Sequence, residues 1–380
     1  KKITFMRHLI ERVLELSEDE IVPQLEPQPS GQGTDEELRA LLESLQPRIR
    51  VYGVGGAGCN AVGRLESEGL FENSFVTGYA INTDAQALLM SPLECKVLIG
   101  RTARGRGAGG DPTKGEAAAL ESEMALRGIT TDTQLAIIAA GMGGGSGTGA
   151  AGHLARLAKE QGAMTIAVVT YPFQSEGATR RENAEWGLER LREHCDTILV
   201  IPNERLLEIE GVKDLPLASA FRVGDELLVR SITGVTELLT RDGMVNLDFE
   251  DLKAVIHSGA GVAMIGLGAG SGPGRAEEAT LEALHSPLLD LDFSDARGAL
   301  INVVGGNNLT LGEAERCAQI ITERISPHAK IIWGTAVDED LDDEIRVMLV
   351  LTGVKSEQIH GSSERRQLKA LRSSTIEFVN

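Results

Sequence analysis

The chain has 380 residues, 42% of them hydrophobic, and a formal net charge of −19. That length allows two cores, and the acidity argues against a nucleic-acid binder, which shows basic patches. Four cysteines (Cys59, Cys95, Cys195, Cys317) form no C-x-x-C spacing and seven histidines are dispersed, so structural thiols in a reducing cytosol and no zinc set are expected; a transmembrane run and a signal peptide are also missing.

Residues 3–16 place Phe5, Met6, Leu9, Ile10, Val13 and Leu14 on one helical face, with Lys1, Lys2, Arg7 and Arg12 around it. Such a helix can lie on a membrane or partner, or pack on its own globular domain or a neighbouring subunit, and packing is the plainer use. Pro23, Pro27, Pro29, Gly31 and Gly33 then read as a linker. A second short helix is expected over 35–45, with Thr34 as its N-cap.

From Arg48 the pattern alternates. Strands are predicted over 49–54, 75–81, 96–99, 134–140, 163–169 and 196–201, and helices over 58–68, 84–91, 112–126, 148–161 and 177–193. Alternation of this kind gives an α/β fold, a Rossmann-like parallel sheet with helices on both faces and ligands at the C-terminal strand ends. Residues 218–242 predict one long helix. Phe221, Leu227, Leu228, Val235, Leu238 and Leu239 recur on too many faces for a surface helix, and at about 1.5 Å per residue it spans roughly 35–40 Å. Strands over 260–268, 298–305, 331–337 and 344–352, with helices near 274–285 and 310–324, predict a second α/β domain around a mixed sheet. The expected division is an N-terminal segment (1–47), a first domain (48–217), the central helix (218–242), a second domain (243–352) and a tail (353–380). That polar tail ends Ile376-Glu377-Phe378-Val379-Asn380, which suits a docking peptide or a strand packed on its own domain.

Two glycine runs fall where strands should end. Gly53-Val54-Gly55-Gly56-Ala57-Gly58 follows the first strand, and Gly141-Met142-Gly143-Gly144-Gly145-Ser146-Gly147-Thr148-Gly149 follows the apolar run 135–140 and leads into a helix. Glycine lets backbone approach a ligand closely, and free N–H groups at a helix start attract phosphate; Ser146 and Thr148 add hydroxyls. A flexible linker would not be flanked by a buried strand and a helix. A P-loop is set aside, because no lysine follows before Lys159. The first run alone fits a dinucleotide fingerprint. That motif expects an acid closing the second strand, however, and here the strand ends at Asn82 with Asp84 beyond it.

Gly-Gly-Ala-Gly-Cys-Asn (55–60), Ile-Asn-Thr-Asp-Ala-Gln (81–86) and the run 141–149 together resemble FtsZ, the cell-division GTPase family of the tubulin superfamily, in its archaeal-like form. The resemblance covers about residues 48–352, in order and spacing. Ser146 departs from the family's usual threonine but keeps a hydroxyl. The resemblance implies the tubulin/FtsZ fold and a cytoplasmic homo-polymer, a head-to-tail filament of the mid-cell division ring at the inner face of the membrane. Membrane-anchor or division-ring proteins would engage the N-terminal helix or the tail. GTP would be hydrolysed to GDP and phosphate, with Mg²⁺, or Mg²⁺ and K⁺, neutralising the phosphates. Repulsion between acidic subunits must then be offset by cations or specific contacts.

Candidates exist for each part of the nucleotide. Phosphates fall to the stretch Gly55, Gly56, Ala57, Gly58, Cys59, to Gly107-Ala108-Gly109-Gly110, and to Gly143, Gly144, Gly145, Ser146, Gly147 and Thr148. Tyr171-Pro172-Phe173-Gln174-Ser175-Glu176-Gly177-Ala178-Thr179-Arg180 resembles the family loop in which the glutamate holds ribose and the arginine phosphate, which assigns Glu176 and Arg180. Base reading falls to Asn203, Phe221 and Asp225, bordered by Asn60 and Asn82. A carboxylate accepts from both N1–H and N2–H of guanine, whereas adenine has no N1–H, so GTP is favoured over ATP. This pocket has no general base. Gly243-Met244-Val245-Asn246-Leu247-Asp248-Phe249-Glu250-Asp251 resembles the family loop whose two aspartates enter the next subunit's site and orient the attacking water, here Asp248 and Asp251 beside Asn246. Glu250 stands where many relatives have alanine. Read alone, Asp248 caps a helix starting at Phe249. The alternatives are a tubulin-like scaffold with little hydrolysis, against which the Asn246/Asp248/Asp251 set stands, and an NAD-dependent oxidoreductase.

Overall fold

Runs rich in β-branched residues and alanine, which fit a surface buried on both sides, build the centre of the molecule. The computed structural model describes residues 47–354 apart from 210, 241–247, 260 and 290–295. The expected helices over 3–16 and 35–45, the linker, Asn246 and the tail beyond 354 lie outside the described residues. Six strands pair in parallel: β1 (Ile49–Val54), β2 (Val76–Asn82), β3 (Cys95–Leu98), β4 (Leu135–Gly141), β5 (Met164–Tyr171) and β6 (Thr197–Pro202). Four more follow, β7 (Gly261–Ser271), β8 (Gly298–Gly305), β9 (Lys330–Val337) and β10 (Glu344–Thr352). The sheet runs β3-β2-β1-β4-β5-β6-β7-β10-β8-β9. β10 is antiparallel to both β7 and β8, so this half is mixed. The mixed strands do not form a separate sheet. β6 and β7 join the halves through three parallel residue pairs, Thr197 to Leu199 against Gly261 to Ala263.

The connecting helices are α1 (Gly55–Ser67), α2 (Ala85–Met90), α3 (Pro112–Glu121), α4 (Glu123–Thr130), α5 (Ser146–Glu160), α6 (Ala178–His194), the short α7 (Asn203–Leu206), α8 (Leu217–Thr240), α9 (Phe249–Ser258), α10 (Arg275–Leu284) and α11 (Leu311–Thr322). Successive strand residues face opposite sides, and the core divides accordingly. Val51, Ile137 and Ala139 pack with Ala61 and Leu65 of α1, Leu228 and Ile232 of α8, and Leu252 and Val255 of α9. Tyr52, Ile138 and Ala140 pack on the other side with Leu154 and Leu157 of α5 and Leu188 of α6.

Two expectations change. The helix over 112–126 is two helices broken at Ser122, whose hydroxyl instead accepts the Gly100 N–H at 3.0 Å. The helix expected from residue 58 starts at Gly55, so the first glycine run is itself the opening turn, its first N–H groups unclaimed by the helix ladder.

Candidate functional site

The chain runs from β1 outward to β2 and β3, then returns to place β4 on the other side of β1. A reversal of this kind leaves a crevice at the C-terminal strand ends, and both glycine runs flank it. Gly55 has φ +73°, and a side chain there would stand 2.5 Å from the Gly147 nitrogen. The loops therefore touch, which only a residue without Cβ permits. A Cβ on Gly58 would lie 2.1 Å from the Ala139 oxygen, so this glycine seats α1 on β4. Gly56 and Gly144 are different, since nothing stands within 4 Å of an added Cβ. Their backbones are open to a ligand.

A cavity of about 300 Å³ occupies the crevice, with Gly56, Ala57 and Gly144 to Gly147 on its phosphate-like side. Ser146 Oγ lies 2.6 Å from Thr83 Oγ1, and Thr83 is fully buried. Thr148 is buried as well, its hydroxyl accepting the Gly143 N–H at 2.9 Å, so it shapes the loop from within. Glu176 and Arg180 also line the cavity and pair with each other. The Glu176 carboxylate additionally accepts the Phe173 N–H at 2.9 Å.

At the opposite end stand Asn203, Phe221, Gly224 and Asp225. Asn203 is only 7% exposed, and its Oδ1 has no hydrogen-bond partner among the described residues. A buried acceptor left unmade costs about 1–3 kcal/mol, which points to a ligand donor there. Phe221 keeps 36% of its surface and meets Phe173 at 5.3 Å between centroids, near perpendicular. An aromatic exposed at a cavity wall suits stacking on a base. Burial raises the Asp225 carboxyl above the usual range, opposed by the nearby Arg64 charge. A donor-rich ligand edge would restore what that carboxylate lost in water.

The remaining predicted residues lie around this cavity. Gly143, at φ +99°, packs under Arg180. Cys59 and Asn60 border a neighbouring hollow that shares Asp225. The Cys59 thiol donates to the carbonyls of Gly53 and Ile81, and burial pushes it up to about 12; its sulfur is inert packing. Asn82 is buried and accepts the Asp84 N–H at 3.2 Å. Asp84 caps α2 through Gln86 and Ala87, which occupies the acid that a dinucleotide reading would have borrowed. Gly109 and Gly110 are exposed at positive φ beside the cavity. Their loop is tied down by Gly107 N–H to Thr83 O at 3.1 Å and by Ala85 N–H to Gly105 O at 3.1 Å.

Sequence reasoning missed two side chains. Thr83 sits inside the quoted string 81–86, so its motif was visible but its partner Ser146 was not. Asn183, in the second turn of α6, donates to Gly110 O at 3.1 Å and Gly143 O at 3.3 Å, and no local signal marks it.

Asp248 and Asp251 are exposed and lie elsewhere. Asp248 caps α9 by accepting the Glu250 N–H at 3.3 Å. Helix α9 packs with Phe249, Lys253 and His257 around a hollow shared with Gln134, Met164 and Asp196, which lie at or just before the first residues of β4, β5 and β6. These aspartates therefore mark the N-terminal edge of the sheet, and the cavity its C-terminal edge. The seven residues of β4 between them span roughly 23 Å at about 3.3 Å each.

Known proteins resemble this chain along most of its length. The profile of the Tubulin/FtsZ family, GTPase domain, matches residues 48–211, and that of the FtsZ family, C-terminal domain, matches residues 261–355. The cell division protein FtsZ of Haloferax mediterranei is 48% identical over 352 residues, 92% of each chain. The cell division protein FtsZ 1 of Archaeoglobus fulgidus is 45% identical over 99% of this chain and 100% of its own. The solved structure of an empty FtsZ dimer from M. jannaschii superposes with a TM-score of 0.80 at 47% identity, covering 85% of this chain and 93% of that one. The crevice between two touching glycine loops, the matched profiles and these relatives lead to one conclusion: the chain belongs to the FtsZ branch of the tubulin/FtsZ family of GTPases.

Proposed function

We propose that the chain is a GTP-dependent, self-assembling cell-division protein whose hydrolytic site is completed between two copies. One observation carries this reading: the cavity and the exposed aspartates Asp248 and Asp251 occupy opposite edges of one sheet. Of the carboxylates lining the cavity, Glu176 is already bonded to Arg180 and the Phe173 N–H, and Asp225 stands at the base end. Among the described residues no further acid lines the cavity to orient water. Laying the N-terminal edge of one copy on the crevice of the next supplies it, and an interface that repeats head to tail without closing makes a filament.

In this reading the backbone of 55–59, Gly109 and Gly110, and 143–148 surrounds the phosphates, with Arg180 as a cation and Glu176 at the ribose. Asn203, Phe221 and Asp225 select guanine, bordered by Asn60 and Asn82. Asp248 and Asp251 of the adjoining copy, with Asn246, orient the water that attacks the γ-phosphorus as the bond to the β–γ bridging oxygen breaks, releasing GDP and phosphate. Among the described residues no group of three or more His, Cys, Asp or Glu could hold a metal ion. Mg²⁺, alone or with K⁺, would accordingly ride on the nucleotide and neutralise its phosphates. No helix among the described residues is long and apolar enough to cross a membrane. A ring at the inner face of the membrane would then depend on anchor or division-ring proteins bound through residues 1–16 or 353–380. Residues 48–217 would act as the GTP-binding domain, 218–242 as the connecting helix and 243–352 as the activating domain.

Sedimentation with GTP, GDP and ATP, together with turnover measured over a dilution series, tests the proposal. Turnover per monomer should rise steeply once the concentration permits assembly, and pelleting should require GTP. Turnover per monomer that stays constant on dilution would overturn the shared site.

A further inference from the structure

We infer that Asn183 is a positioning residue that aims backbone amides at the nucleotide phosphates, an inference that rests on the guanine-nucleotide reading above. Asn183 is half-buried on α6, and its single NH₂ group spans two loops. It donates to the carbonyl of Gly110 at 3.1 Å and to that of Gly143 at 3.3 Å. These carbonyls lie 33 residues apart in sequence, and each follows or precedes glycines that no side chain restrains. Gly109 and Gly110 have φ +62° and +77°, and Gly143 has +99°. Left to themselves, such peptides rotate at low cost.

The consequence follows from peptide geometry. In a planar trans peptide the C=O and the next N–H point in opposite directions. Holding the Gly143 oxygen toward Asn183 therefore turns the Gly144 N–H away from α6. Gly144 lines the cavity and Asn183 does not, so the amide is turned toward the ligand side. The preceding peptide is held as well, its Gly143 N–H bonded to Thr148 Oγ1 at 2.9 Å, so Gly143 is fixed on both sides. At Gly110 the second bond keeps loop 105–110 against the glycine run, where Gly145 already packs on Ala108 and Asp111. Asn183 touches no part of the cavity itself. It acts through the two loops, and its effect belongs to phosphate recognition alone.

The test compares Asn183→Ala, Asn183→Leu and Asn183→Gln with the parent, using the full chain and a fluorescent GDP analogue displaced by GTP, GDP or guanosine. Asn183→Leu keeps bulk without a donor, so it remains informative if the alanine variant folds poorly. Both donor-less variants should bind GTP and GDP about tenfold more weakly, the value of one or two hydrogen bonds, while guanosine affinity and nucleotide-free melting temperature stay at parental values. Asn183→Gln, which retains the donor on a longer stem, should recover part of the loss. A purely structural role predicts instead that guanosine affinity and melting temperature fall in parallel with GTP affinity, and that result overturns the inference. Parental GTP and GDP affinity in both donor-less variants overturns it too, leaving the guanine reading intact. Failure of the parent to bind either nucleotide removes the guanine reading, and this inference with it.

Discussion

Replacing Asp225 by asparagine should change which base the protein prefers. The carboxylate is partly buried at the end of the cavity proposed to hold the base, beside Phe221 and an Asn203 oxygen without a partner among the described residues. As an ionised acceptor it can take both the N1–H and the N2–H₂ of guanine. Asparagine has the same shape, but one oxygen acceptor and one NH₂ donor. It still accepts N1–H, while its NH₂ confronts the guanine N2 donor. Xanthine carries a carbonyl at that position and matches the new pattern. Losing one charge-assisted bond costs about 1.5–3 kcal/mol, and the partial exposure of Asp225 favours the lower end. Asp225→Asn should therefore bind GTP roughly 10- to 100-fold more weakly and XTP more tightly, with ATP poor throughout. Burial also raises the carboxyl pKa, and only the ionised form accepts from both donors. GTP affinity of the parent should thus weaken on acidification, starting above the usual carboxylate range, whereas the asparagine variant should lack that limb. Displacement of a fluorescent GDP analogue by GTP, XTP and ATP measures all of this. A variant that keeps the parental GTP-over-XTP margin, or a parent that binds ATP as well as GTP, refutes the assignment.

Asp251→Asn removes charge but little volume at an exposed position; kcat should fall on the order of a hundredfold while GTP-dependent pelleting persists and lasts longer, and normal kcat would count against the shared site. Gly58→Ala drives a Cβ to 2.1 Å from the Ala139 oxygen and should cost about 3 kcal/mol or more by urea denaturation. Gly56→Ala, with nothing within 4 Å, should leave stability near the parent and weaken nucleotide binding instead, so equal stabilities for the pair would contradict the packing argument. The Arg275 guanidinium holds the Glu313 carboxyl at about 2, below its ordinary 4.5. A depressed acid stabilises the fold above its unfolded pKa and loses that contribution as pH falls toward the folded value. Glu313→Gln should therefore cost about 1–3 kcal/mol at pH 7, and the gap to the parent should close between pH 4.5 and 2.

Much of this was legible without coordinates, because the informative features are local. The two glycine runs, the strand-to-helix rhythm and the acid four residues after Phe221 on one helix face depend on neighbours within a few positions. For that reason β1, β8 and β10 fall where the pattern places them, and Asn203, Phe221 and Asp225 line one cavity. Boundaries were harder to see where backbone and side chain compete. Ser122 breaks a helix that composition would have continued, because its hydroxyl is claimed by Gly100, 22 residues away. Whether the mixed strands formed their own sheet was also undecidable from pattern, since three residue pairs at the β6–β7 seam settle it.

The sequence by itself determined the family and the motifs proposed to hold its guanine nucleotide. Only the tertiary structure decided how those motifs divide their labour. Gly58 packs while Gly56 stays open, Thr148 braces its own loop, Cys59 is turned inward, and Thr83 and Asn183 bond to the loops around the cavity unannounced. It alone sets Asp248 and Asp251 at the edge of the sheet opposite the cavity. The physical reason is range. Propensity and periodicity act over a turn or two of chain, whereas Thr83 meets Ser146 across 63 residues and Asn183 meets Gly110 across 73, contacts that exist only once the sheet has brought their loops to one edge.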